Sequence, residues 1–164
     1  RKQPEKIIEQ YLVWTKNQTA NKAVIVYETM WGSTEKMARA IAEGLSSQSI
    51  DVKLFDISSA DFAELTYEMF DAKAFIIGSS THDNEMLPYI SGFLHFIKGM
   101  KPKNRIALAF GSYGWGGGAV KEIVKQLESF GVEVLDTVEA KFKPDKQELK
   151  NCCDKAVSFA QKMK

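Results

Sequence analysis

Cysteine, histidine and proline are scarce in this chain of 164 residues, with two, two and four copies respectively. The two cysteines, Cys152 and Cys153, are adjacent, so they form neither a disulfide framework nor a CxxC redox pair. His82 and His95 are too few for a histidine-rich metal centre, and nothing resembles a HxExDH cluster. Charge of one sign is not in excess: Lys+Arg is 22 and Asp+Glu is 21, a formal net charge of +1. That excludes a strong overall field for nucleic acid or anionic lipid. No apolar run approaches the ~20 residues of a membrane span, and the opening RKQPEKIIEQ has no apolar signal segment. These absences lead us to expect a soluble, cytoplasmic protein acting without nucleic acid or membrane. The chain starts at Arg1 rather than at methionine, from which we expect a piece of a longer protein.

The composition that remains is that of a globular domain, 45% hydrophobic and 26% charged. A chain of this length can bury about 70% of its unfolded surface without staples. Pro4 followed by Ile7, Ile8, Tyr11 and Leu12 has helical spacing, with proline near the first turn where its missing N–H is harmless. Asn17–Asn21 is a polar break. Three short apolar runs follow, AVIVY within Lys22–Glu28, AFIIG over Ala74–Gly78 and IALAF over Ile106–Phe110, and they suit strands covered on both faces. Asp51–Ile57 and Val132–Val138 alternate, as edge strands do. Helical stripes fill the gaps: Met37, Ile41 and Leu45; Phe62–Phe70; Tyr89–Lys98; Val120, Ile123 and Leu127; Leu149, Cys152, Ala156 and Phe159.

Strand–helix alternation implies right-handed crossovers and a parallel sheet with helices on both faces. The expectation is a doubly wound α/β fold, three layers deep, with five strands in the order 2-1-3-4-5. In such sheets a ligand sits beyond the carboxyl ends of the strands, at the switch point between strands one and three. The segments to read are therefore those after Glu28, Gly78 and Phe110.

The first, Thr29-Met30-Trp31-Gly32-Ser33-Thr34, runs directly into a helix. A helix N-terminus exposes unpaired N–H groups and partial positive charge, so a phosphate there needs neither Lys nor Arg. Ser33 and Thr34 are also ordinary helix caps, and the loop alone leaves both roles open. There is no GxxxxGK[ST] and no GxGxxG, which removes the lysine of a P-loop and weakens a dinucleotide reading. A phospho-accepting receiver domain would need carboxylates where this chain has Glu28 alone and Gly78-Ser79.

The second segment, Ser79–Asn84, is polar and able to hydrogen-bond a heteroaromatic edge, although a solvated loop with an incidental His82 accounts for it equally. The third, Gly111–Gly118, combines glycines with Tyr113 and Trp115. Glycine lets backbone approach a ligand closely, and the aromatics can stack on a flat ring. Phosphate at one end and a planar ring system at the other describe FMN.

The stretches VIVYETMWGSTEKMARAIAEGL (Val24–Leu45), THDN (Thr81–Asn84) and FGSYGWGGGAV (Phe110–Val120) resemble the flavodoxin-like domain of flavodiiron proteins, also called A-type flavoproteins. The resemblance covers residues 22 to 164 and implies an FMN-binding domain there. Residues 1–21 would then be a linker helix from a metal-bearing N-terminal domain that this chain lacks. It further implies that Thr29, Met30, Trp31, Gly32, Ser33 and Thr34 hold the phosphate. Ser80, Thr81, Asp83 and Asn84 would contact one side of the ring, and Ser112, Tyr113, Gly114, Trp115, Gly116 and Gly117 the other, with Trp115 stacking. Ser80 stands where many relatives have proline, so a less rigid second loop is expected. The implied function is electron transfer, from a rubredoxin or an NADH-linked (NADH:rubredoxin-type) reductase to a di-iron site that reduces O2 or NO. The family's head-to-tail homodimers make a homodimer a further expectation. The alternatives on the same scaffold are a free-standing flavodoxin and an FMN-dependent NAD(P)H:quinone reductase.

Overall fold

The computed structural model describes residues 4–16 and 18–163. Residues 1–3 of the expected linker, Asn17 of the expected polar break and Lys164 of the basic tail lie outside the described residues. In chain order the elements are α1 (Pro4–Thr15), β1 (Ala20–Glu28), α2 (Ser33–Ser46), β2 (Asp51–Asp56), α3 (Phe62–Phe70), β3 (Ala72–His82), β4 (Glu85–Met86), α4 (Pro88–Met100), β5 (Ile106–Tyr113), α5 (Ala119–Ser129), β6 (Glu133–Lys141) and α6 (Lys146–Gln161).

Five long strands pair in parallel in the order β2-β1-β3-β5-β6, which is the expected doubly wound order. The sheet nevertheless has six strands rather than five. The two-residue β4 pairs antiparallel with the end of β3, through Thr81 with Met86 and His82 with Glu85. Its origin is local: Asp83 and Asn84 both take positive φ, 52° and 65°, which folds the chain back as a tight hairpin. Ser79 to His82, expected as loop, are consequently strand residues: Ser79 and Ser80 extend the ladder with β5, and Thr81 and His82 pair with β4.

The apolar runs are continuous because both faces of each central strand are covered. Ile25, Ile76 and Leu108 pack with Met37, Ile41, Leu45 and Phe159 on the α2/α6 side. Val24, Val26, Phe75 and Ile77 pack with Leu65, Ile90, Leu94, Ile123 and Leu127 on the α3/α4/α5 side. Each such fully buried side chain contributes about 1.5–3 kcal/mol of transfer free energy. Helices α2 and α6 touch almost backbone to backbone: a Cβ at Gly44 would lie 2.5 Å from the Cys153 carbonyl oxygen and 2.8 Å from Ala156 Cβ. That contact explains the cysteine pair, since Cys152 is a buried packing residue whose thiol is pushed up to about 11, chiefly by burial.

The two ends of the sheet differ. At the amino end Lys22 is buried against Glu68, 2.8 Å away, and Asp71, while Arg105 donates to the carbonyls of Phe70 at 2.7 Å and Lys103 at 2.6 Å. The carboxyl end is open.

Candidate functional site

Beyond the carboxyl ends of β1, β3 and β5 lies a cleft of about 740 Å³, a volume ordinary for a small-molecule site. Of the sixteen residues singled out from sequence, Met30, Trp31, Ser33, Ser80, Thr81, Asp83, Asn84, Ser112, Tyr113, Gly114, Trp115 and Gly116 line it. Thr29, Gly32, Thr34 and Gly117 do not; they frame it.

The loop between β1 and α2 is held by its own first residue. Thr29 Oγ1 accepts from the Gly32 amide at 3.1 Å. Gly32, in the left-handed region at φ 77°, is the N-cap of α2, and no side chain caps the helix. The capping role left open for Ser33 and Thr34 is thus excluded. The amides of the first turn of α2 have no intrahelical acceptors, and Ser33 faces the cleft beside them. Thr34 turns inward instead, fully buried, with Oγ1 2.9 Å from Ser80 Oγ and 3.0 Å from Ser112 Oγ.

Around Ser80, expected as a less rigid loop, the backbone is strand. Ser80 is a buried strand residue in register with Ser112 on β5. The hairpin that follows is also pinned. Thr81 Oγ1 accepts from the Ala119 amide at 3.3 Å, and the Asn84 carbonyl rests so close on Gly118 that a Cβ there would overlap it. The Gly114–Gly118 loop carries Trp115, which is 95% exposed, while Trp31 on the facing loop is 89% exposed.

Four lining residues were absent from the sequence-derived set: Lys36, His82, Phe142 and Lys143. Lys36 lies one turn into α2, at i+3 from Ser33 and so on the same helix face. Phe142 and Lys143 enter because the β5–β6 register carries the end of β6 alongside Tyr113. Sequence reading expected an anion site without cations, whereas the cleft holds these two lysines. Neither forms an ion pair among the described residues, while neighbouring Glu35 is engaged by Arg39 at 2.8 Å. A lysine in the first turn opposes the helix dipole, an arrangement that suits a nearby anion.

Glu28, at the end of β1, supports the site from behind. Its Oε2 accepts from the amides of Tyr89 at 3.0 Å and Ile90 at 3.2 Å, capping α4, which has no side-chain cap of its own. Burial raises the Glu28 carboxyl above its ordinary range; the two amides counter this in part, and Asp56 adds to it. Among the described residues no group of three or more His, Cys, Asp or Glu is placed to hold a metal ion, and no helix is long and apolar enough to cross a membrane.

Residues 25–155 match the family model described as Flavodoxin. The nitric oxide reductase of Moorella thermoacetica is 46% identical over 135 residues, covering 82% of this chain and 34% of that protein. Among solved structures, the rubredoxin oxygen:oxidoreductase of Desulfovibrio gigas has a TM-score of 0.91 at 36% identity, over 95% of this chain and 39% of its own. A flavodoxin from the domain Archaea has a TM-score of 0.79 at 31% identity, over 87% of this chain and 98% of its own. The chain spans about a third of the length of the curated relatives it matches.

Proposed function

The chain belongs to the flavodoxin family, and on that premise we propose that it is the FMN-carrying electron-transfer domain of a flavodiiron protein. The observation that carries this reading is one cleft joining a cation-bearing helix N-terminus to two exposed indoles. FMN fits both ends. In this reading the amides of the first turn of α2, Ser33 and Lys36 hold the phosphate, at about 1.5–3 kcal/mol for each hydrogen bond to a charged group. Trp115, Trp31 and Tyr113 cover the ring, and Thr81, Asp83 and Asn84 hydrogen-bond its edge. Glu28 and Gly118 hold the loops that carry these groups. FMN, when bound, supplies the redox chemistry by taking up and releasing electrons.

The donor in this proposal is a rubredoxin or an NADH-linked reductase, and the acceptor a di-iron site elsewhere in the parent protein that reduces O2 or NO. The names of the relatives, nitric oxide reductase and rubredoxin oxygen:oxidoreductase, support that assignment. Of the expected division into residues 1–21 as linker and 22–164 as flavin domain, the linker reading is kept for α1, consistent with its exposed Ile7, Ile8, Tyr11 and Leu12, while the flavin domain is taken to begin with β1 at Ala20. The near-complete coverage of the archaeal flavodoxin favours one second reading, a self-contained flavodoxin.

The test begins with the purified chain and added FMN. A stoichiometric yellow complex that binds riboflavin more weakly is expected, and failure to bind FMN defeats the proposal. Rapid reduction of the complex by reduced rubredoxin supports the flavodiiron assignment. Steady turnover of NAD(P)H with a quinone would instead assign a quinone reductase.

A further inference from the structure

A second cavity, of about 590 Å³, lies at the amino ends of the strands, opposite the cleft described above. It runs across four of them. Gln18 and Thr19 lead into β1, Lys73 stands at the start of β3, Arg105 leads into β5, and Glu133 begins β6. Ala72 pairs with Ala20, Ala74 with Ile106, and Ile106 with Glu133, so Lys73 and Glu133 sit on strands two places apart. At a spacing of about 4.8 Å between neighbouring strands, their backbones are about 10 Å apart. Lys16, just beyond α1, brings another cation to the same cavity.

The charges divide into two groups. Arg105 is buried and held by the carbonyls of Phe70 and Lys103. Together with Lys22 it faces Glu68 and Asp71, so these two cations are offset by two carboxylates. Lys16 and Lys73 form no ion pair among the described residues. The cavity therefore sets two lysines against the one carboxylate of Glu133, an excess that suits a single anionic group rather than a chain of them. Among the described residues no aromatic side chain lines it, so a nucleobase would find nothing to stack on. Its apolar lining is Ile106 alone among those residues, unlike the core of a protein–protein interface, which is rich in aromatic anchors and poor in lysine. The carboxylate of Glu133 only accepts hydrogen bonds, and a hydroxyl can supply one.

We infer that this cavity is a second ligand site, for a small phosphate monoester that also carries hydroxyl groups. Lys16 and Lys73 take the phosphate, against a wall fixed by Arg105, and Glu133 accepts from a hydroxyl at the far end. The site uses no residue of the flavin cleft and does not rest on the flavin reading.

The test is a calorimetric titration of the FMN-loaded chain, whose cleft is then occupied, with ribose 5-phosphate at fixed ionic strength. One saturable site is expected, tighter than for inorganic phosphate. Lys16→Gln and Lys73→Gln are each expected to weaken it about two- to fivefold. Lys53→Gln, on β2 and outside the cavity, is expected to leave it unchanged. Glu133→Ala is expected to bring ribose 5-phosphate down to the affinity of inorganic phosphate. Absence of saturable binding, or equal weakening by Lys53→Gln, would overturn the inference in favour of diffuse attraction. Inorganic phosphate that binds as tightly as ribose 5-phosphate would overturn it too, by removing the hydroxyl end. Hexaglutamate that displaces ribose 5-phosphate at lower concentration would assign the cavity to an acidic polypeptide instead. A chain that takes up no FMN defeats the flavin reading alone, and the same titration with the same lysine variants then decides this site.

Discussion

The hydroxyl of Thr34 lies 3.0 Å from that of Ser112 across 78 positions of sequence. Thr34 belongs to the first turn of α2 and Ser112 to the end of β5, so the contact ties the first cleft loop to the centre of the sheet. Thr34→Val keeps the shape of the side chain and removes the hydroxyl, leaving two buried serines short of a partner. A loss of about 1–3 kcal/mol is expected. It is read as a lower urea midpoint at unchanged m-value.

Gly118 is predicted to be intolerant of even one added carbon. A Cβ there would overlap the Asn84 carbonyl, a backbone group that moves only if the whole hairpin moves. Gly118→Ala is expected to cost about 1–3 kcal/mol by overpacking and to weaken FMN as Asp83 and Asn84 leave the cleft wall. Thermal melts and FMN titration check both halves. Unchanged FMN affinity would show that the hairpin does not serve the site.

Trp115 is the opposite case. At 95% exposure it supports no part of the fold, so Trp115→Ala should leave stability within about 0.5 kcal/mol. Loss of stacking on the flavin should weaken FMN about three- to tenfold. A large drop in Tm with unchanged FMN affinity would contradict the assignment.

Glu28 gives a pH signature. Its carboxyl titrates above the ordinary 4.5 when folded, chiefly because it is buried. A group whose folded pKa is raised favours the folded state fully below its unfolded pKa, and that contribution fades as pH rises through the folded value. Glu28→Gln keeps an oxygen acceptor for the Tyr89 and Ile90 amides and removes the ionisation. The variant should therefore gain stability relative to wild type as pH climbs from about 4 towards neutrality. Denaturant unfolding across that range checks this; parallel pH curves for the two proteins would refute it.

Much of this was legible from residue pattern alone. AVIVY, AFIIG and IALAF marked the central strands because burial on both faces leaves no polar alternation to confuse them, and the helical stretch Phe62–Phe70 coincides with α3, which the structure shows capped by Asp61. The end of β3 was not legible. Ser79, Ser80 and Thr81 look like loop residues, and only their ladder partners, on β5 for the two serines and on β4 for Thr81, make them strand. The hydroxyl cluster depends on that same long-range register and has no local signal. Lys36 could have been found, being one helical turn from Ser33 on the same face. Phe142 and Lys143 could not, because their approach is set by the pairing of β6 with β5.

The near-total exposure of Trp31 and Trp115 has a consequence for the molecule before it is loaded. Two of its three tryptophans then stand in water on facing lips, forming a greasy opening of the kind that invites unspecific adhesion. FMN seated between them would cover this opening, so the unloaded chain is expected to self-associate more readily than the loaded one.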